Sequence, residues 1–469
     1  MNFRSAGLLI FFVLFSVLSR AEIKLPAIFG DQMVLQQQTD AAIWGKATAG
    51  KTVRISTSWD NKSYSAQTDQ QGNWRTKVKT PKAGGPYEIT ISDGSPIKLK
   101  NVLIGEVWIC SGQSNMVMPM KGYRNQPITG SNEAIAISAN SNIRMITVDR
   151  DKSLVPKDNF TGDWKECLPE NVLNFSATAY FFGKMVQQVL NVPVGLITTS
   201  WGGTRIEPWM SENGIRNFDW VKLPDKKMEG DFSQQTPTVL FNAMVNPIVG
   251  YALRGAIWYQ GESNRNEPDQ YQKLMPGLAE NWRAEWGIGD FPFYYVQIAP
   301  FDYGPAGLNS AYLREAQLKA AGATTNFGMA CVMDAGEKDC IHPANKKAAG
   351  DRLAYLALAK TYGKSGFAYS GPVLKEMTVE GSLVKLTFDF ADNGLTSYGK
   401  ELENFEVAGE NKRFYPAKAS ITSKGITLCS PSVEKPVAVR YAFKDFVMGD
   451  LYNTEGLPAS SFRTDEWEK

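Results

Sequence analysis

The chain has 469 residues, 43% of them hydrophobic and 12% aromatic, which suits two or three packed domains and excludes a disordered protein. Fifty Lys and Arg against 48 Asp and Glu leave a formal charge of +2, too little for a general attraction to nucleic acid or anionic membranes. A single histidine, and five cysteines with no CxxC spacing, argue against a zinc cage, so neither metal nor cofactor is expected.

The first 21 residues read as a secretory signal peptide. A basic residue at Arg4 precedes an apolar run from Ala6 to Leu18, and Ser19-Arg20-Ala21 puts small residues at −3 and −1 of a cleavage site. The apolar run is short for a membrane span. The protein is therefore expected to be exported, periplasmic or extracellular, with no membrane insertion after cleavage. Loss of Arg4 and Arg20 takes the formal charge from +2 to 0.

Residues 22–100 read as a β-sandwich region. "TVRISTSW" sets Val53, Ile55 and Trp59 on one side and "YEITIS" does the same with Tyr87, Ile89 and Ile91, with turn clusters between such runs. From 101 to 369 the pattern changes. Apolar strands are predicted at 102–110, 142–148, 193–200, 254–260, 292–299 and 327–334, and helices at 176–190, 269–286, 310–321 and 343–362. Near-continuous apolar strands alternating with helices argue for an α/β domain, a parallel sheet covered on both faces. Residues 370–469 return to β, as in "LVKLTFDF", where Val384, Leu386, Phe388 and Phe390 alternate.

In α/β sheets ligands bind beyond the carboxyl ends of the strands. After the first strand comes "CSGQSNM", which places Ser114 at a strand-to-helix turn, as a nucleophile or as a plain helix N-cap. After the third comes "SWGGTRIEPW", whose Gly202 and Gly203 permit close approach of backbone to a ligand or merely form a loop. After the fourth, "QGESN" offers Gln260, Glu262 and Asn264 as amide donors or as loop ties. After the last comes "DAGEKDCIHP". Asp339 stands three residues before His342, the sole histidine, close enough to accept Nδ1–H, and Pro343 fits the first position of the next helix. Cys331 and Cys340 are near enough in sequence for a bridge across this loop, with free buried cysteines the equal alternative. Together these parts make a constellation for acyl transfer: a hydroxyl, a base, an acid to fix its tautomer, and donors for an oxyanion.

"GQSNM", "WGGT", "YQGESN" and the DxxH of "DCIH", in this order, resemble the SGNH/GDSL-type hydrolases, and within them the sialate O-acetylesterase group of secreted carbohydrate esterases. The resemblance implies a three-layer, flavodoxin-like SGNH hydrolase domain with a parallel sheet and flanking β-sandwich modules. It also implies metal-free hydrolysis of acetyl esters on sugars. Carried over, Ser114 is the nucleophile, Asp339 and His342 complete the triad, and the Ser114 amide joins Gly203 (alternatively Gly202) in the oxyanion hole. The third block departs from the G-x-N-D of general SGNH enzymes, so the third donor falls to Gln260, with Asn264 second. An O-acetylated sialic acid is the first expected substrate and an acetylated xylan or other polysaccharide the second; a non-catalytic carbohydrate-binding protein is the reading from another class. Arg205, Trp209 and Glu262 are the expected sugar contacts. Arg205 matches a sialate carboxylate or, equally, an ion pair with Glu207.

Overall fold

In the computed structural model, which describes residues 22–227 and 232–467, the chain is organised around one long strand, β1 (Pro96–Gly112). The expected signal peptide lies outside the described residues. The first part of β1 alternates exposed and buried positions and pairs antiparallel with Gly84–Ser92. From Val102 onward every residue is buried, as a strand covered on both faces requires. The expected boundary between 100 and 101 therefore falls inside a single strand that belongs to both regions.

The second half of β1 is the middle of the central sheet. The other strands are β2 (Asn140–Thr147), β3 (Lys165–Cys167), β4 (Val194–Ser200), β5 (Gly255–Tyr259), β6 (Phe293–Val296) and β7 (Phe327–Ala330). Their spatial order is β7-β6-β5-β1-β4-β2-β3, parallel throughout except for β3. Among the helices that follow the strands are α1 (Ser114–Val117), α2 (Ala177–Leu190), α3 (Pro268–Trp286), α4 (Ala311–Ala320) and α5 (Lys346–Leu356).

The period-2 alternation of a strand divides these helices between two cores. Trp108, Cys110, Ile257 and Tyr294 pack with Phe182 and Val186 of α2 and Leu353 of α5. Ile109, Trp258, Phe293 and Tyr295 pack with Leu278 and Trp282 of α3 and Leu313 of α4. Helix α5 starts at Lys346, where the Asn345 side chain accepts from Ala348 N at 3.1 Å, so Pro343 lies in the preceding loop instead of opening the helix as expected. The expected run to 362 ends in a π-helical turn, Ala357–Thr361.

Beyond this unit two four-stranded antiparallel sheets face each other. Val384, Leu386, Ile426 and Leu428 of one share a core with Phe405, Val407, Tyr441 and Phe462 of the other. All five cysteines are free, which corrects the suggested Cys331–Cys340 bridge. No helix among the described residues is long and apolar enough to cross a membrane.

Candidate active site

The carboxyl ends of β1, β4 and β5, with the loop after β7, surround a cleft of about 530 Å³ lined by Gln113, Ser114, Tyr123, Arg150, Gly202, Gly203, Glu262, Ser263, Ile341 and His342. Ser114 and His342, 228 positions apart by number, thus face one cavity. A larger cavity of about 770 Å³, beside Trp44 and Arg75, contains none of the expected site residues.

Ser114 owes its position to a turn that only glycine can make. Gly112 has φ +137°, and a Cβ there would lie 2.2 Å from the Tyr259 carbonyl oxygen. That carbonyl accepts from Gln113 N at 2.9 Å, while Gly112 O accepts from Trp201 N at 3.1 Å, so the turn is stitched to both neighbouring strands. The N-cap of α1 is Gln113 and Ser114 is its first helical residue, with no capping bond from either side chain. The plain N-cap reading of Ser114 is thereby set aside. Its hydroxyl hydrogen-bonds no described residue.

Asn115, the next residue, ties three elements together beneath the cleft. Its Nδ2 donates to Glu262 Oε1 at 2.6 Å and to Ile341 O at 3.1 Å, and its Oδ1 accepts from Lys346 Nζ at 2.7 Å. Lys346 also donates to Pro343 O at 2.7 Å. Burial pushes the Lys346 ammonium down to about 7, and burial pushes the Glu262 carboxyl up. Glu262 lines the cleft, and its Oε2 is buried without a hydrogen-bond partner.

The ring of His342 is fixed by groups the sequence reading did not name. Nδ1 lies 2.8 Å from Gln126 Oε1, and Tyr123 packs edge-on at 5.3 Å between ring centroids. Tyr123 and Gln126 pair backbone to backbone, N–H to C=O, at 3.0 Å in both directions, and Tyr123 OH donates to Ser114 O at 3.3 Å. An amide oxygen can only accept, so Nδ1 carries the proton and Nε2 is left with its lone pair. Burial first, and the nearby Lys346 ammonium second, pull the imidazole down to about 4, so it is neutral at ordinary pH. Asp339, expected as the Nδ1 partner, is exposed and makes no hydrogen bond with His342. The chain turns between them through Cys340, whose thiol donates to His342 O at 3.2 Å, and the carboxylate is left toward solvent.

The remaining expected residues divide. Gly202 and Gly203 line the cleft; a Cβ on Gly202 would lie 3.3 Å from that of Ser114, and Gly203 has φ +72°. Gln260 and Asn264, by contrast, face away. Gln260 Nε2 donates to Thr204 O at 3.1 Å and to Asn264 Oδ1 at 2.8 Å, while its Oε1 accepts from Tyr271. Asn264 Oδ1 also accepts from Ile206 N, and its Nδ2 donates to Glu207. Both are buried ties between loops, and the amide that reaches the cleft is Gln113, whose Oε1 accepts from Gly261 N and Ser263 N at 3.4 Å.

Trp209, an expected sugar contact, is fully buried, its indole donating to Thr204 Oγ1. Arg205 is paired with Glu207 at 2.8 Å and Glu267 at 3.2 Å, the ion-pair alternative rather than the sugar contact.

Residues 104–358 match the model of a family described as carbohydrate esterase, sialic acid-specific acetylesterase. The chain belongs to this family. Every expected site residue from Ser114 to His342 falls within the matched span. Sialate O-acetylesterases of rat and human are 27% and 28% identical to the chain, covering 98% and 94% of it and 98% and 92% of their own lengths. A solved carbohydrate acetylesterase from Xanthomonas citri is 33% identical, with a TM-score of 0.87 over 95% of this chain and all of that one. Membership of the acetylesterase family makes the protein a carboxylic ester hydrolase, which removes the reading as a non-catalytic carbohydrate-binding protein.

Proposed function

We propose that the protein is an exported SGNH-type serine esterase that removes O-acetyl groups from a glycan, an O-acetylated sialic acid first, by way of an acyl-enzyme. The single observation that carries the reading is the convergence of Ser114 and His342 on one cleft, with Nδ1 of the imidazole held by an acceptor. In the first step Ser114 Oγ bonds to the acetyl carbonyl carbon while His342 Nε2 takes the hydroxyl proton. The oxyanion accepts from the Ser114 and Gly203 backbone N–H groups, Gly202 lying close enough to serve in the second place. Gln113, the amide that lines the cleft, takes the third place that the sequence reading assigned to Gln260. The imidazolium then protonates the departing sugar oxygen as the ester C–O bond breaks. Water, deprotonated by the same Nε2, attacks the acetyl-serine; acetate leaves and Oγ recovers its proton. Gln126 holds the tautomer throughout, the role expected of Asp339.

The test is acetate release from acetylated sialic acids. Ser114→Ala should lose at least about 10³-fold in kcat with the fold intact by circular dichroism. A serine-directed organophosphonate should label Ser114, and near-normal turnover of the alanine variant would remove the proposal.

A further inference from the structure

The arginine that the sequence singled out for a substrate carboxylate, Arg205, is saturated by Glu207 and Glu267. Another guanidinium does reach the cleft. Arg150 follows β2, next to β4 in the sheet, so it arrives at the same rim as the Gly202-Gly203 turn that follows β4. Its approach is set by backbone bonds on both sides: Val148 N donates to Thr198 O and Asp149 N to Thr161 O, each at 2.9 Å. Arg150 is exposed and forms no ion pair or hydrogen bond with any described residue. Its neighbour Asp151 is engaged by Lys157. The carboxyl that shares the cleft, Glu262, is bonded through Oε1 to Asn115, and the enclosure of its Oε2 disfavours its charged form. A fork that is always charged, at the mouth of a cleft that holds a serine and a neutral imidazole, is thus left without an anionic partner among the described residues.

We propose that Arg150 is a substrate-binding, specificity-determining residue that receives the carboxylate of an acetylated acidic sugar while its ester lies at Ser114. The inference rests on the esterase reading above and narrows it. A planar guanidinium accepts a carboxylate through two parallel N–H···O bonds, which fixes orientation as well as adding attraction. A neutral sugar offers it nothing comparable. The shared chemistry is a sugar ring carrying both a carboxylate and an acetyl ester, found in sialic acids and in acetylated uronates.

The experiment compares kcat/KM for one O-acetylated sialic acid with that for its carboxyl methyl ester, which differs by a single charge. The wild-type enzyme should prefer the acid by about 10- to 100-fold, the range of a charge-assisted pair. Arg150→Met should bring that ratio toward one, mainly by raising KM for the acid, and Arg150→Lys should restore part of it. High salt should narrow the wild-type gap.

A wild-type ratio near one, or a ratio that survives Arg150→Met, would overturn the assignment. Acetylated polygalacturonate is the second arm: a larger loss there on Arg150→Met than on the sialate identifies a uronate as the source of the same carboxylate. Turnover of 4-nitrophenyl acetate and acetylated xylan with none on either acid defeats the Arg150 proposal alone. No turnover on any ester, 4-nitrophenyl acetate included, defeats the esterase reading first.

Discussion

His342 sits where burial and the Lys346 ammonium both oppose its charged form, and where Gln126 supplies an acceptor but no negative charge. An aspartate in that place would raise the imidazole's affinity for a proton; an amide leaves it low. The acid limb of kcat/KM should therefore lie at about pH 4, well under the ordinary histidine range, because the base must be neutral to work. Gln126→Glu should move that limb to higher pH, since an anion beside Nδ1 favours the imidazolium. Gln126→Leu should lower kcat, by at most about the 10⁴-fold cost of losing a tautomer-fixing partner. If Asp339→Asn shifts the limb more than either, the carboxylate is the working partner after all. The same shift acts on stability. With its folded pKa below the unfolded value, His342 contributes stability that is full above about pH 6.5 and lost as pH falls through about 4, and His342→Gln should flatten the melting temperature across that window.

Two elements carry the geometry, and both are sensitive to single atoms. The turn from β1 into α1 depends on Gly112, where a methyl group would meet the Tyr259 carbonyl at 2.2 Å in a backbone conformation that L-residues avoid. Gly112→Ala should cost about 1–3 kcal/mol in backbone strain alone, with loss of turnover as Ser114 shifts; denaturant titration and acetate release read the two effects separately. The loop between β7 and α5 depends on Asn115 and Lys346. Asn115→Leu keeps the branched shape of the side chain but leaves Lys346 with only the Pro343 carbonyl and frees the Ile341 carbonyl. Losing a hydrogen bond to a buried charged group costs about 1.5–3 kcal/mol. The melting temperature should fall and the rate with it, because the same loop carries His342.

At the scale of the whole molecule the central sheet and the C-terminal sheets share buried polar contacts. Arg314 of α4 is fully buried and donates to Ser461 Oγ at 3.1 Å and to Asp445 O at 3.3 Å. Gln297, just after β6, donates to Ser460 Oγ at 2.7 Å, and Met333 joins the C-terminal core. Truncation before residue 370 would strip partners from a buried guanidinium, so the shortened chain should fail to give a cooperative melt. Export has its own check: N-terminal sequencing of secreted material should begin at Glu22.

The element pattern was legible from residue order alone, because burial on two faces leaves a continuous apolar run and burial on one leaves a periodic one. All six predicted core strands and all four predicted helices occur, with ends displaced by a few residues or, at α5, by a proline that stays in the loop. Ser114 and His342 were legible for another reason: few residue types can do their chemistry, and the chain has one histidine. Which way a polar side chain points was not. Gln260, Asn264, Arg205 and Trp209 share short segments with the cleft residues, yet Thr204, Glu207, Glu267 and Trp258, each about 50 to 60 positions away, engage them in turn and hold them off the cleft. Gln126 and Arg150 belong to no motif, and gain their places only when the 119–130 loop packs on the histidine loop and β2 lies next to β4. Local periodicity records what is buried; partners across hundreds of residues are chosen by the packing of the sheet.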